Sequence, residues 1–511
     1  MKKLILPIGI AATALCLLQA AKLDSPATNY TTHHENVLGT SMEMQVDADS
    51  PETSAKAEAA ALAEIDRLAK LLSSYDKSSE FSRWFATNGK AVAVSPELLE
   101  VLGLFDQWRT ATGGALNPAA EAVNRVWKNA AKENRLPSSG ELSAASAAAG
   151  QAHWKLDLAN GTATHLTNTP IALNSFTKSY VIAKATSAAL KTGAYGAMIN
   201  IGGDVVTSGD RTQVVSIADP LANADNAEPA SRIKVSGRAV ATSGNYKRGV
   251  EINGQHYSHI VDPRTGQTAE QIISSTVVAL NATDAGALAT AFSILTPAES
   301  RRLAATIPGA EYLLIDREGN RTTSAGWSQL EFQPAQIASA KLIPGMLAAQ
   351  GQGGAAWNSA FELSITLAVS QIEGGRARRP YVAVWIEDKD KFPVRTIALW
   401  FNKDRWLPEL RSWMHDDRVR SLAEGTDITG TVASATRPAG KYTLKWDGKD
   451  NAGKLVKPGK YTVIIEASRE HGTYQVMKQE MDFSGTPKQV SLTGNTEIES
   501  ATLDYRKSSS R

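Results

Sequence analysis

Past its N-terminal segment this 511-residue chain contains no cysteine, because its single one is Cys16. A protein without thiols forms no disulfide and offers no thiolate nucleophile, so its stability and its chemistry rest on other groups. Net charge is also nearly absent, at +2 from 54 Lys plus Arg against 52 Asp plus Glu. That balance excludes the electrostatic footprint of a nucleic-acid binder and the composition of a disordered tail protein, so binding must be local. The apolar run from Leu4 through Leu18 is short for a bilayer span. Preceded by Lys2 and Lys3 and followed by Gln19-Ala20-Ala21, it has the three parts of a secretory signal, with cleavage near Ala20 or Ala21. Leu15 before Cys16 is not the small residue a bacterial lipoprotein site uses. The expected destination is a bacterial periplasm, with association to the inner membrane left open.

The length predicts about three domains. Beyond residues 1–21, the signal, the expected units are 22–335, a linker over 336–356, and 357–511. The first mixes helix and strand. A first strand is expected over Val37–Val46, and an amphipathic helix over Ala55–Leu72 with Ala61, Leu62, Ile65, Leu68, Ala69 and Leu72 on one face. A second helix starts from Ser95 and Pro96 and stops at Thr112-Gly113-Gly114. Short strands follow Trp154 around an Asn160-Gly161 turn, and another helix opens after Asn174-Ser175 and runs to Leu190. Gly196–Val206 reads as a buried strand broken by a Gly-Gly-Asp turn. Gln350-Gly351-Gln352-Gly353-Gly354 marks the linker. From Trp357 onward, short strands separated by Gly, Pro, Asn and Asp turns predict an all-β sandwich, so the fold class is α+β. Trp385, Trp400, Trp406, Trp413 and Trp446 are expected to pack in that sandwich and not to form a stacking surface. His415-Asp416-Asp417 lacks a second histidine at ligand spacing and reads as a solvated turn.

Chemistry concentrates at Tyr257-Ser258-His259-Ile260-Val261-Asp262-Pro263-Arg264-Thr265-Gly266. A histidine, a carboxylate and a guanidinium sit just before and inside a turn whose backbone Pro263 and Gly266 restrict. These groups can handle a phosphate, a metal or a proton. Two further stretches could serve a nucleotide. Gly113-Gly114 allows close backbone approach, and the helix start at Asn174–Tyr180, with Lys178, could receive a phosphate.

Taken in order, the motifs of residues 37–333 resemble the ApbE-type FAD:protein FMN transferases. Leu38-Gly39-Thr40 resembles the family's Met-Gly-Thr, Ser74-Tyr75-Asp76 its tyrosine loop, and Thr112–Pro118 its Thr-Gly-Gly-Ala-Phe-Asp-Pro turn. Lys178 and Tyr180 fall where Lys-Gly-Tyr is usual, and Asn200–Asp204 resembles Asn-x-Gly-Gly-Asp. Val240–Gly244 matches Val-Ala-Thr-Ser-Gly, and His259–Gly266 matches His-Ile-x-Asp-Pro-x-Thr-Gly. The C-terminal part, through Trp446–Asp450 and Gly459-Lys460-Tyr461, is similar to an uncharacterised periplasmic domain found after some of these transferases and to the Ig-like flagellar hook-capping module.

The resemblance implies an enzyme that binds FAD as substrate, uses Mg²⁺ or another divalent cation, and moves FMN onto a threonine hydroxyl of an acceptor flavoprotein in a membrane or periplasmic electron-transfer system. It implies His259 as the base. Leu38, Tyr75, Ala115, Leu116, Asn117, Lys178, Thr242, Ser243, Gly244 and Asp262 would surround FAD. Ser175, Asp284 and Thr290 would hold the metal, and the sandwich would be free to meet a protein partner. Four positions depart from the family. Ala172 replaces an aspartate, Asn117 an acidic residue, Ser179 the glycine after the lysine, and Gly286 the aspartate of Ala-Asp-Ala-Leu-Ala-Thr. Losing a carboxylate weakens a hard-cation site. Asp284 could substitute only if the helix begins after it. FAD hydrolysis to FMN and AMP, and a flavin-binding scaffold without turnover, are the alternative expectations.

Overall fold

The computed structural model describes residues 28–332 and 357–508, apart from residues 210, 223, 246–247, 372–378, 402–403, 427, 429–432, 435 and 470–472. The expected signal over 1–21 and linker over 336–356 lie outside the described residues.

The first unit is built on an antiparallel eight-stranded sheet. In spatial order its strands are Thr28–Val37, Thr40–Ala48, Gly196–Ile201, Asp204–Gly209, Ala239–Gly244, Ile272–Ala279, Glu311–Asp316 and Arg321–Thr323. The strand expected over 37–46 is one arm of a hairpin whose turn is Leu38-Gly39, at φ of 50° and 78°. Both turn residues lie in the left-handed region, as a tight hairpin twist requires. Alternation along the strands serves two cores. Ala197 and Ile199 face one, while Met198 faces the other. Strand Ile272–Ala279 is buried at every position because both faces of the sheet are covered.

Three helices cover the first face: Pro51–Leu72, Thr177–Leu190 and Ala282–Phe292. The first is capped by Ser50, whose Oγ accepts from Thr53 N, and it buries Ala57, Ala61, Ile65, Leu68 and Leu72 on one stripe. The second face is closed by the hairpin Thr212–Ile217/Ser231–Ser236 and by Trp327, around Val205, Ile217, Ile233 and Val235. Helices Ala120–Lys132 and Ser139–Ala149 form a flank against the Tyr257–Gly266 turn through Val123, Trp127, Leu142 and Val261.

The second unit is a sandwich of two sheets. One orders Gly440–Trp446, Phe361–Val369, Ile498–Lys507 and Lys488–Thr493; the other orders Ala433–Ser434, Pro393–Trp400, Tyr381–Glu387, Lys460–Ser468 and Tyr474–Asp482. Trp385, Trp400, Trp413 and Trp446 are all buried, so they build core and not a stacking surface. Pro438-Ala439-Gly440-Lys441-Tyr442-Thr443 and Pro458-Gly459-Lys460-Tyr461-Thr462 are alike in sequence, and both lead into strands with the same local bond. Each tyrosine hydroxyl donates to the carbonyl four residues earlier, Pro438 O at 2.8 Å and Lys457 O at 2.7 Å. His415-Asp416-Asp417 is not a turn, as expected, but lies within helix Arg411–Glu424, which packs Leu410 and Trp413 on the outer face of the second sheet. Buried Glu466 from that sheet caps the helix, accepting from Ser412 N at 2.9 Å and Trp413 N at 2.8 Å. A carboxylate at a helix N-terminus satisfies orphan amides and complements the helix dipole.

The two units touch where the loop after strand Thr212–Ile217 meets the edge strand Gly440–Trp446. Asp225 N donates to Thr443 O at 2.7 Å, and the Asn226 carboxamide grips Lys445, donating to its O at 2.7 Å and accepting from its N at 2.8 Å.

Candidate active site

A cavity of ≈ 560 Å³ opens where the sheet meets the N-terminus of helix Thr177–Leu190, within the range of small-molecule sites. It takes in His259, Ala115, Leu116, Asn117, Ser175, Lys178, Thr242, Ser243, Gly244 and Thr290 from the residues expected in the site. Leu38, Tyr75, Asp262 and Asp284 lie outside its lining. A groove of ≈ 740 Å³ lies behind the Gly113-Gly114 turn, between Arg109 and Arg264. Both guanidiniums are already committed there, to Gly150 O and to Asp262. The smaller cavity carries the titratable groups that chemistry needs.

Its walls follow from local sequence. Gly113 and Gly114, at φ of 57° and 87°, turn the chain so that Ala115 and Leu116 face the cavity. Thr112 Oγ1 accepts from Leu116 N at 3.0 Å and holds the turn. The Asn117 side chain is buried, donating to Ala149 O at 2.9 Å and accepting from Ala119 N at 2.9 Å, and these bonds fix it in the wall. Tyr75, 83% exposed, stands at the rim, where its hydroxyl accepts from the lining residue Asn174 at 2.9 Å.

The Tyr257–Gly266 turn presents the histidine. Asp262 holds the turn, accepting from Arg264 N and Nε, both at 2.9 Å, and from its Nη2 at 2.8 Å. Trp127 Nε1 donates to Gly266 O at 2.9 Å. His259 Nδ1 lies 3.0 Å from Arg248 O, which assigns the hydrogen to Nδ1 and leaves Nε2 as acceptor. His259 stands exposed at the cavity mouth, yet partial desolvation of its ring lowers its pKa below the ordinary histidine value, against the hydrogen bond to Arg248 O, and the charges of Arg248, His256 and Lys128 add to the lowering. The imidazole is thus neutral at pH 7, the form a general base needs.

Elsewhere in the same cavity, Lys178 Nζ lies 3.3 Å from Asp204 Oδ2, and Ser179 Oγ donates to the same oxygen at 3.0 Å. Burial raises the Asp204 pKa, while the Lys178 charge, the Ser179 hydroxyl and the Thr242 amide oppose that rise. Helix Thr177–Leu190 has no side-chain cap, so its first amides remain available to an anion beside Lys178.

Of the expected metal ligands, Ser175 and Thr290 come together, and Asp284 does not join them. Thr290 Oγ1 donates to Ser175 O at 3.3 Å, so both line the cavity as neutral oxygens. The helix begins at Ala282 behind its cap Asn281, which puts Asp284 in the first turn, off the cavity-facing side that carries Gly286 and Thr290. Burial pushes the Asp284 carboxyl up, which further disfavours a charged ligand. Among the described residues no three His, Cys, Asp or Glu side chains are grouped as a metal site. The residues present do not fit magnesium, which is ordinarily held through one or two carboxylates.

Several lining residues carried no expectation as site residues. Asp204 ends the Asn-x-Gly-Gly-Asp stretch and was legible there, whereas Asn124, Arg248 and Val215–Ala218 reach the cavity only through tertiary packing.

Comparison with known proteins gives the family of the chain. Residues 38–314 match the family described as ApbE, and residues 362–500 match "Predicted periplasmic protein (DUF2271)". The FAD:protein FMN transferase of Vibrio cholerae is 28% identical over 242 residues, covering 45% of this chain and 72% of that protein. That of Treponema pallidum is 27% identical over 344 residues, covering 62% and 93%. The ApbE protein of Thermotoga maritima superposes with a TM-score of 0.54 at 26% identity, covering 60% of this chain and 100% of that one. With the family's sequence model spanning more than half of its length and the fold shared, the chain belongs to the ApbE family.

Proposed function

We propose that the cavity binds FAD and that the protein is an FAD:protein FMN transferase, moving FMN onto a threonine hydroxyl of an acceptor flavoprotein. The threonine oxygen attacks the FMN phosphorus, the bond from that phosphorus to the bridging oxygen breaks, AMP leaves, and the hydroxyl proton passes to His259 Nε2. The observation that carries this reading is the placement of a neutral, oriented imidazole in one cavity with Lys178 and an uncapped helix start. Lys178 and the helix amides meet the pyrophosphate charge by positioning and electrostatics. Thr242, Ser243 and Gly244 line the phosphate side, Ala115 and Leu116 offer backbone to the nucleotide, and Tyr75 borders the flavin at the rim, with Leu38 in the hairpin turn as a further apolar contact. Magnesium would find only the oxygens of Ser175 and Thr290 among these ligands, and no step is assigned to it.

Incubating the full chain with FAD and a flavoprotein carrying the acceptor threonine is expected to give covalently bound, fluorescent FMN on the acceptor. An acceptor that stays unlabelled across a range of divalent cations overturns the reading. FAD hydrolysis is a second reading, favoured by the exposure of His259 at the mouth, where water could replace the acceptor. AMP release without any acceptor separates the two.

A periplasmic location, reached by cleavage of residues 1–21, is supported by the family of predicted periplasmic proteins that the second unit matches. No helix among the described residues is long and apolar enough to cross a membrane. We assign the units as 22–335 and 357–511 with a linker at 336–356, and give the sandwich the role of meeting a protein partner.

A further inference from the structure

Gly286 sits inside helix Ala282–Phe292 with ordinary helical backbone, where glycine costs about 1 kcal/mol relative to alanine. Conformation gives no reason for it, but space does. A Cβ at this position would lie 2.5 Å from Ser179 Oγ, 3.1 Å from Ser179 Cβ and 3.2 Å from Phe176 Cα. Protein interiors do not tolerate the first of these contacts. The hydroxyl that fills the space has a defined task. Ser179, 2% exposed, donates to Asp204 Oδ2 at 3.0 Å, and Lys178 ion-pairs with the same oxygen at 3.3 Å. Asp204 is itself 8% exposed and lines the cavity with Lys178 and Gly286, while Ser179 lies buried behind that wall.

We propose that Ser179 and Gly286 are a reciprocal pair, in which the serine hydroxyl takes the space of a side chain at 286 and uses it to orient Asp204, leaving the cavity a weak site for divalent cations. Asp204 is then committed to Lys178 and Ser179, and of the residues that helix Ala282–Phe292 presents to the cavity, Gly286, Ala289 and Thr290, Thr290 alone carries a side-chain oxygen, a neutral one. The helix interface is exchangeable in principle. Removing the serine opens room for a carboxylate on the neighbouring helix, beside Thr290 and the Ser175 carbonyl, and Asp204 loses one of its two side-chain donors. The remaining 3.2 Å approach to Phe176 Cα asks the two helices to give by a few tenths of an ångström. The proposal rests on the transferase reading for the identity of the cavity as the reaction site, but its physical content is steric and ionic.

Two measurements on the full chain test it without any transfer assay. The first is a thermal double-mutant cycle among wild type, Gly286→Ala, Ser179→Gly and the double variant. Gly286→Ala is expected to lower Tm in the wild-type background and to lower it much less, or raise it, once Ser179 is glycine. Equal effects in both backgrounds overturn the steric pairing. The second is Mn²⁺ binding followed by electron paramagnetic resonance, with Mg²⁺ as competitor. Ser179→Gly/Gly286→Asp is expected to bind Mn²⁺ on the order of tenfold or more tightly than wild type, because one carboxylate is added to a neutral oxygen set. A wild-type chain that already holds one Mn²⁺ at micromolar concentration, displaced by Mg²⁺, overturns the proposal, as does a folded double variant with unchanged affinity. Failure of FMN transfer would leave both readouts in place, so it would count against the transferase reading and not against the pair.

Discussion

At the scale of single residues the catalytic case rests on how His259 is held. Its Nδ1 is fixed on a backbone carbonyl, and its pKa lies below the ordinary range because the ring is partly desolvated among cationic neighbours. The active form is the deprotonated one, so kcat/KM for FMN transfer is expected to rise with pH and to level off through a midpoint below 6.5, the ordinary histidine value. A midpoint above that value would point to another base. His259→Ala is expected to remove transfer by a factor of about 10²–10⁴ while FAD binding, followed by fluorescence quenching, stays close to wild type. A proportional loss of both would make the histidine a packing residue. This residue was legible in the sequence, since its motif places it beside a turn that Pro263 and Gly266 define. Asp284 was misjudged as a ligand for a local reason: the Asn281 cap starts the helix three residues earlier and turns that carboxylate away. Asp204 was passed over among the site residues because the sequence does not show that Lys178 and Ser179 come back to meet it.

At the scale of elements, the turn that carries His259 depends on close packing against the helical flank. Gly266, at φ of 77°, would place a Cβ 3.0 Å from Leu142 Cβ and 3.1 Å from Ser146 Oγ. Gly266→Ala is therefore expected to cost about 1–3 kcal/mol in unfolding free energy and to weaken FAD binding with it. Trp127→Phe, which removes the indole donor to Gly266 O, should cost about 0.5–1.5 kcal/mol from the hydrogen bond alone. Urea titration checks both, and a neutral Gly266→Ala would mean that the turn is free to relax. The two helices of this flank, Ala120–Lys132 and Ser139–Ala149, carried no sequence expectation. Helix Ser139–Ala149 is rich in alanine and serine with little contrast between its faces, whereas Ala120–Lys132 carries Val123, Trp127 and Ala130 on one buried stripe at helical spacing and was legible. Capped or glycine-punctuated elements were clearer, as with Pro96–Ala111 behind Ser95 and the hairpin around Gly202-Gly203. In the sandwich, helix Arg411–Glu424 escaped notice because its N-cap is not local: Glu466, more than forty residues away, supplies it.

At the scale of the whole molecule, the sandwich unit carries a buried carboxyl that makes its stability depend on pH. Burial pushes Glu387 up to about 7 from an ordinary 4.5, and the facing Asp416 carboxyl adds to this, while Trp385 and Lys478 act the other way. The folded state therefore keeps a proton that the unfolded state gives up, and the group's contribution is whole below pH 4.5 and lost as pH rises toward 7. Glu387→Gln is expected to flatten the decline in sandwich stability between pH 5 and 8, with its largest gain at the alkaline end. Calorimetry across that range decides it, and a pH-independent difference would sink the assignment. The contact between units gives a second expectation. Asn226→Ala should expose the Lys445 amide to exchange, read as lost deuterium protection along Gly440–Trp446, and unchanged protection would show that the contact contributes nothing.

That contact also orders events in time. The Asn226 carboxamide and its partner peptide are 219 residues apart, and domains generally form as units from the N-terminus onward during synthesis. The loop is thus finished while the strand it grips does not yet exist, and its polar groups are satisfied by water until the last strands of the chain arrive. The same loop springs from Val215–Ala218 in the cavity wall. Completion of the sandwich then adds a late second anchor to a loop whose root in the cavity wall is already held by Ile217 and Ile233 in the first unit's core.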